Sequence, residues 1–108
     1  METFGQWKSF YPEKNKKQTK KEASEKDDIL FNTHLFAALK AKSLEDYDQA
    51  LKGFEKCIKV NKNIATPHYE SSLINKDLGN YNLAVEQIKK AIDLDSENRW
   101  YLFAYAEI

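Results

Sequence analysis

From residue 27 onward, apolar residues recur at three- and four-residue spacings. Phe31, His34, Leu35, Ala38 and Ala41 fall on one face of a helix, with Ile29 and Leu30 leading into it. The spacing predicts a helix from about Asp27 to Ser43 or Leu44. Asp27 and Asp28 stand where acidic side chains favour a helix N-terminus. A second helix is expected over about Tyr47–Val60, with Ala50, Leu51, Phe54, Cys57 and Ile58 as its apolar positions. Asn61-Lys62-Asn63 reads as a turn. A third helix runs from about Thr66 to Leu78, with Pro67 tolerated in its first turn. Gly79-Asn80 ends it, because glycine is the usual residue past a helix end. A fourth runs from Tyr81 to Leu94, Asp95-Ser96-Glu97-Asn98 turns the chain, and an aromatic-rich fifth starts near Arg99. Turns are therefore expected near 44–46, 61–65, 78–80 and 95–98. The connections are short, so neighbouring helices should be antiparallel. No alternating β-branched run competes with helix.

The pattern repeats itself. Asp46-Tyr47-Asp48-Gln49-Ala50-Leu51 returns 34 residues later as Asn80-Tyr81-Asn82-Leu83-Ala84-Val85. Cys57 pairs with Ala91, Ile58 with Ile92, Val60 with Leu94 and Asn61 with Asp95. A fixed period of this size marks a stack of small helical units. Such a stack offers a groove and has no built-in active site, so it points to partner binding before catalysis.

Residues 1–26 read differently. Phe4, Trp7, Phe10, Tyr11 and Pro12 lie in the first thirteen residues, and Ala23 is the sole apolar residue of 14–26. That tract cannot bury a face and reads as a solvated linker or a frayed helical lead-in. The division expected is a flexible Lys-rich segment, 1–26, followed by a repeat domain, 27–108. Formal net charge is zero, with 17 basic and 17 acidic residues, but seven of the lysines against four glutamates lie in 1–26. The tract could touch nucleic acid or an anionic membrane surface. It lacks arginine and interleaved aromatics, which argues against base reading and favours a solvating linker. Phe4, Trp7 and Tyr11, at i, i+3 and i+7, form one helical stripe that either docks on a partner or the repeat body, or belongs to a disordered end.

No stretch approaches the roughly 18 apolar residues of a membrane span. The start lacks the layout of a secretory signal, which points to the cytoplasm. The single cysteine, Cys57, excludes an intramolecular disulfide and fits a reducing compartment.

Two helices per 34 residues with Gly-Asn-Tyr-x-x-Ala between them resemble the tetratricopeptide repeat. The units fall at about 31–64, 65–98 and 99–108. The resemblance implies an all-α fold, antiparallel helix pairs stacked as a short right-handed α-solenoid. It puts small residues where helices cross most closely: Ala38, Ala50 and Cys57, then Ser72, Ala84 and Ala91, then Ala106. Phe54 and Ile88 are the bulky residues between helices, and Tyr47 and Tyr81 open the second helix of each unit. His34 and His68 stand in place of the family's early aromatic, Ala41 and Asn75 in place of a tyrosine, and Lys62 and Ser96 in place of the closing proline. The chain holds about two and a third units, whereas about three are expected for independent stability. The expectation is a fragment or a truncated gene product.

In this family the first helix of each unit lines the concave face. Carried over by position, that partner-binding groove comprises Asn32, Leu35, Phe36, Leu39, Lys42 and Ser43, then Thr66, Tyr69, Glu70, Leu73, Lys76 and Asp77, then Trp100, Phe103 and Glu107. Its aromatic and aliphatic centre with charged surroundings resembles a site for a peptide or helix of a protein partner. Some of these residues are expected to pack against neighbouring helices instead. Relatives that clamp a terminal carboxylate use basic and asparagine side chains where Leu35, Leu39, Tyr69 and Leu73 stand here, which argues against that function.

Other chemistry is thin. His34 and His68 could make two ligands of a metal site, but a structural site normally needs four, so half-buried packing is the preferred reading. Cys57 is read as a core residue and not a reactive thiol. The acidic clusters Glu45, Asp46, Asp48 and Asp93, Asp95, Glu97 lack the spacing of a calcium loop and read as caps and turns. No phosphate-cradling loop, nucleophile elbow or Cys-x-x-Cys occurs. No cofactor and no catalytic residue is assigned. The sequence thus favours a non-enzymatic scaffold binding a protein. The alternatives are a piece of a longer array that self-associates through its exposed last helix, and a surface tether acting through the Lys tract.

Overall fold

The computed structural model describes the backbone of residues 11–108 and the side chains from residue 24 onward. Residues 1–10 and the side chain of Tyr11 lie outside the described residues, and with them the Phe4, Trp7, Tyr11 stripe. Five helices follow in order: α1 Tyr11–Ser43, α2 Tyr47–Val60, α3 Ala65–Asp77, α4 Tyr81–Leu94 and α5 Arg99–Glu107. No strand occurs among the described residues. The turns fall at 44–46, 61–64, 78–80 and 95–98, as the punctuation predicts.

The helix starts earlier than the Asp27 signal, and of the two readings of 14–26 the backbone takes the helical lead-in. α1 begins at Tyr11, and Asp27 and Asp28 lie inside it. The tract has no hydrophobic periodicity, but its Lys, Glu, Gln and Ala residues have high helix propensity and it contains no glycine. Pro12 sits in the first turn, where its missing N–H costs no hydrogen bond. Periodicity reports burial, and helix can continue without it. From Ser24 to Leu30 every side chain is exposed, so this length of α1 adds no buried residue to the core.

Local chemistry ends the helices. Beyond α1, the Asp46 N–H reaches the Ala41 carbonyl and the Glu45 N–H that of Lys42, both at 2.9 Å. Beyond α3, Asn80 N–H reaches Asn75 O at 2.8 Å and Gly79 N–H reaches Lys76 O at 3.0 Å. These are two Schellman closures 34 residues apart. The Asp46 carboxylate accepts from the Gln49 N–H and caps α2, and the Asn98 side chain accepts from the Trp100 N–H and caps α5.

Packing falls into two cores. Ala38, Ala50, Phe54 and Ile74 form one, joining α1, α2 and α3. Ala65, Ile88, Ala91, Tyr101 and Ala104 form the other, joining α3, α4 and α5. Each core is a helix pair closed by the first helix of the next pair, so the chain is a short helical-repeat solenoid. Ala38, Ala50, Cys57, Ser72, Ala84 and Ala91 are buried, as are Phe54 and Ile88. Ala106 is the exception and is exposed, since no helix among the described residues covers it. Tyr47 packs on the first core, whereas Tyr81 is exposed. Ile108, the counterpart of Ile74 by the period, lies one residue past α5 and packs half-buried against the second core.

Candidate functional site

Every residue assigned to a groove lies on α1, α3 or α5, the first helices of successive units. Side chains bridge these three helices. Lys42 Nζ on α1 lies 2.5 Å from Glu70 Oε1 on α3, and Lys76 Nζ on α3 lies 3.2 Å from Glu107 Oε2 on α5. Lys42 and Lys76 are one repeat apart, so each reaches forward to a glutamate of the next first helix. The Tyr69 and Tyr101 rings lie 4.7 Å apart at 37°. Burial pushes the Tyr101 phenol above its ordinary value, an effect partly offset by a hydrogen bond with the Thr66 side chain.

Exposure divides the set. Phe36, Trp100 and Phe103 are 70%, 71% and 59% exposed. Asn32, Ser43, Asp77 and Glu107 are exposed, and Thr66 is half-buried. Leu35 and Leu39 are half-buried against the first core, and Tyr69 and Leu73 against the second. These four present one edge outward while the rest of the side chain supports helix packing. Lys42, Glu70 and Lys76 are half-buried and engaged with one another's helices as described. At one column of the period stand Leu35, Tyr69 and Phe103, so apolar character runs across all three helices.

The other candidates settle into structural roles. His68 is buried with Nε2 3.0 Å from the Lys62 carbonyl, and His34 is half-buried. Among the described residues no three His, Cys, Asp or Glu side chains converge as metal ligands would. Cys57 is fully buried, its Sγ 3.6 Å from the Phe31 carbonyl. No helix among the described residues is long and apolar enough to cross a membrane.

The sequence model of the Tetratricopeptide repeat family matches residues 35–64 and 65–98, more than half of the chain. The chain belongs to that family. No curated protein matches it. Tetratricopeptide repeats generally mediate protein–protein interaction or scaffolding, and the family is typically non-catalytic.

Three features of this tetratricopeptide chain escaped the sequence reading. Gly53 sits in the middle of α2, where a Cβ would meet the Ala38 Cβ at 2.6 Å. A glycine inside an otherwise unbroken helix pattern, opposite a small residue, was the available signal. Asn75, in place of a family tyrosine, is buried; its Nδ2 donates to Gln87 Oε1 at 2.9 Å and its Oδ1 accepts from Asn80 Nδ2 at 3.1 Å. That amide chain ties α3 to α4 where a ring would otherwise pack. Beside it lies a hollow of about 320 Å³ between α2, α3 and α4, with Leu51, Ile58 and Leu83 on its apolar side and Ser71, Asn75 and Gln87 on its polar side. No residue assigned to the groove lines it.

Proposed function

We propose that this tetratricopeptide chain is a protein-binding scaffold whose first helices, α1, α3 and α5, take a peptide or helix of a partner along one face. The observation that carries the reading is the apolar column Leu35, Tyr69 and Phe103, one per first helix, flanked by exposed Phe36 and Trp100. Aromatic side chains with a free face supply large contact area at low conformational cost.

Charge sharpens the reading. Lys42 and Lys76 are already paired with Glu70 and Glu107. An acidic tail would have to break these pairs, while an apolar stripe would not. The partner segment therefore anchors through aliphatic or aromatic side chains, with polar residues at its margins.

Peptides selected from a random library against the full chain test this. Binders should carry apolar anchors and should lose affinity about tenfold or more on Tyr69→Ala or Phe103→Ala, the scale of one anchor worth more than 1 kcal/mol. Leu83→Ala, in the hollow between α2 and α4, should leave them unaffected. Binders that ignore Phe36, Tyr69 and Phe103 and depend on another face would overturn the reading.

A further inference from the structure

Ser71 of α3 and Tyr105 of α5 stand one period apart. The Tyr105 ring lies beside α4, with Lys89 Nζ 5.8 Å from its centroid. At the matching place beside α2, Ser71 carries only a hydroxymethyl group, and there the hollow of about 320 Å³ opens between α2, α3 and α4. The two places have corresponding walls. Leu51, Glu55 and Ile58 of α2 return as Val85, Lys89 and Ile92 of α4. At one place the chain supplies its own aromatic ring, and at the other it leaves room.

The hollow is lined by residues between Leu51 and Gln87, inside the two units that the family model matches. In the register of the repeat, a helix added beyond α5 meets Val85, Lys89 and Ile92, not Leu51. The polar wall is built before any ligand arrives. Asn75 is buried, and its amide is fixed between Gln87 and Asn80. Each of these amides has N–H groups beyond the ones in that chain, and Ser71, 3% exposed, adds a hydroxyl. Leu51, Ile58 and Leu83 offer apolar surface to the face of a ring.

Charge at the rim selects the ring's edge. Glu55 is exposed there and stands where Lys89 meets the Tyr105 ring one unit on. An ammonium lies over the face of a ring, whereas a carboxylate meets its positive edge or an O–H. At about 320 Å³ the hollow is at the small end of ligand sites, with room for one ring.

We infer that this hollow is a second binding site, one that takes a single phenol-like ring from outside the chain, its face on the aliphatic wall and its hydroxyl among the polar groups. A tyrosine side chain of a partner and a free small phenol share that chemistry. The site does not depend on the proposed groove, none of whose assigned residues lines it.

The test titrates the full chain with p-cresol and follows backbone and side-chain amides by NMR. Shifts should saturate and centre on Ser71, Leu83 and Gln87. Toluene, the same ring without the hydroxyl, should bind about fivefold more weakly, the loss of one net hydrogen bond. Ser71→Tyr puts a ring at this place in cis, as Tyr105 does, and should abolish p-cresol binding. Leu83→Ala, at a position 44% exposed, should weaken p-cresol about threefold through lost apolar contact. That variant keeps the test decisive where Ser71→Tyr fails to fold. N-acetyltyrosinamide separates the sources: binding as tight as p-cresol assigns the site to a tyrosine side chain, and weaker binding to a free phenol. No saturable shift with p-cresol, shifts centred on Tyr69 and Phe103, or equal binding of toluene overturns the inference. So does undiminished binding by a folded Ser71→Tyr or by Leu83→Ala. Binding that appears only when Phe4 and Trp7 are both replaced by alanine also overturns it, since the chain's own first residues would then fill the hollow.

Discussion

Gly53 and Ala38 meet where α2 crosses α1, so closely that a Cβ on Gly53 would stand 2.6 Å from the Ala38 Cβ and 3.1 Å from its Cα. Both are in helices, and Ala38 is buried. The distance of closest approach between the two helices is therefore set by the absence of one methyl group.

Gly53→Ala tests this. In an unconstrained helix interior the change is stabilising by roughly 0.5–1 kcal/mol. Overpacking a tight crossing costs typically about 1–3 kcal/mol, and at this separation overpacking wins. Urea unfolding should show a lower midpoint for Gly53→Ala, partly restored in the Ala38→Gly, Gly53→Ala double variant. A midpoint at or above the parent would mean that the helices part freely.

Glu45 and Gly79, one repeat apart, both take left-handed backbone, with φ of 62° and 85°. Left-handed conformation costs an L-residue about 1–2 kcal/mol, which glycine escapes. The gain at Glu45→Gly is reduced by the roughly 0.4–1 kcal/mol of added freedom in the unfolded chain. A rise of up to about 1 kcal/mol is expected. Gly79→Ala should lose a comparable amount through conformation alone, because nothing lies within 4 Å of its missing Cβ. Equal melting midpoints across all three proteins would remove the argument.

The helices from Tyr47 onward were legible because burial imposes periodicity and because Asp46, Gly79 and Asn98 mark their ends. The start of α1 was not, since exposed lysines and glutamates form helix without leaving a periodic trace. The small positions were legible as repeats of one another. Ala106 was not separable from them, because exposure depends on whether a helix lies opposite. For the groove, the family resemblance put Leu35, Tyr69 and Phe103 in the expected set without singling them out as one column. It could not show that Lys42 and Lys76 are bound to Glu70 and Glu107. Those pairs join side chains 28 and 31 residues apart, neither of them the repeat period.

Lys42–Glu70 should be worth little in stability and more in registering α1 against α3. Both side chains are partly shielded, and partly exposed pairs contribute about 0.2–1 kcal/mol. A double-mutant cycle with Lys42→Met and Glu70→Gln should give a coupling in that range, shrinking as salt rises from about 0.1 to 1 M and the Debye length falls from about 10 to 3 Å. A coupling of zero at low salt would show that the pair does not form in solution.

Cys57 carries the sharpest pH prediction. Burial pushes its thiol up from 9.0 to about 11. Between those values the folded chain keeps a proton that the unfolded chain releases, so the stability of the fold is full below about pH 9 and declines as pH rises through the window. Tyr101, also raised by burial, adds a decline of the same sign above pH 10. Cys57→Ala should lower stability at neutral pH, because a fully buried side chain leaves a cavity. It should also flatten the decline between pH 9 and 10 while the decline above pH 10 persists. Disulfide-exchange labelling at pH 8 should be about a hundredfold or more slower in the folded chain than in denaturant, as expected when reaction waits for local opening. Rapid labelling of the native protein, or an unchanged slope from pH 9 to 10 in Cys57→Ala, would show that the thiol is not sealed in the α1–α2 packing.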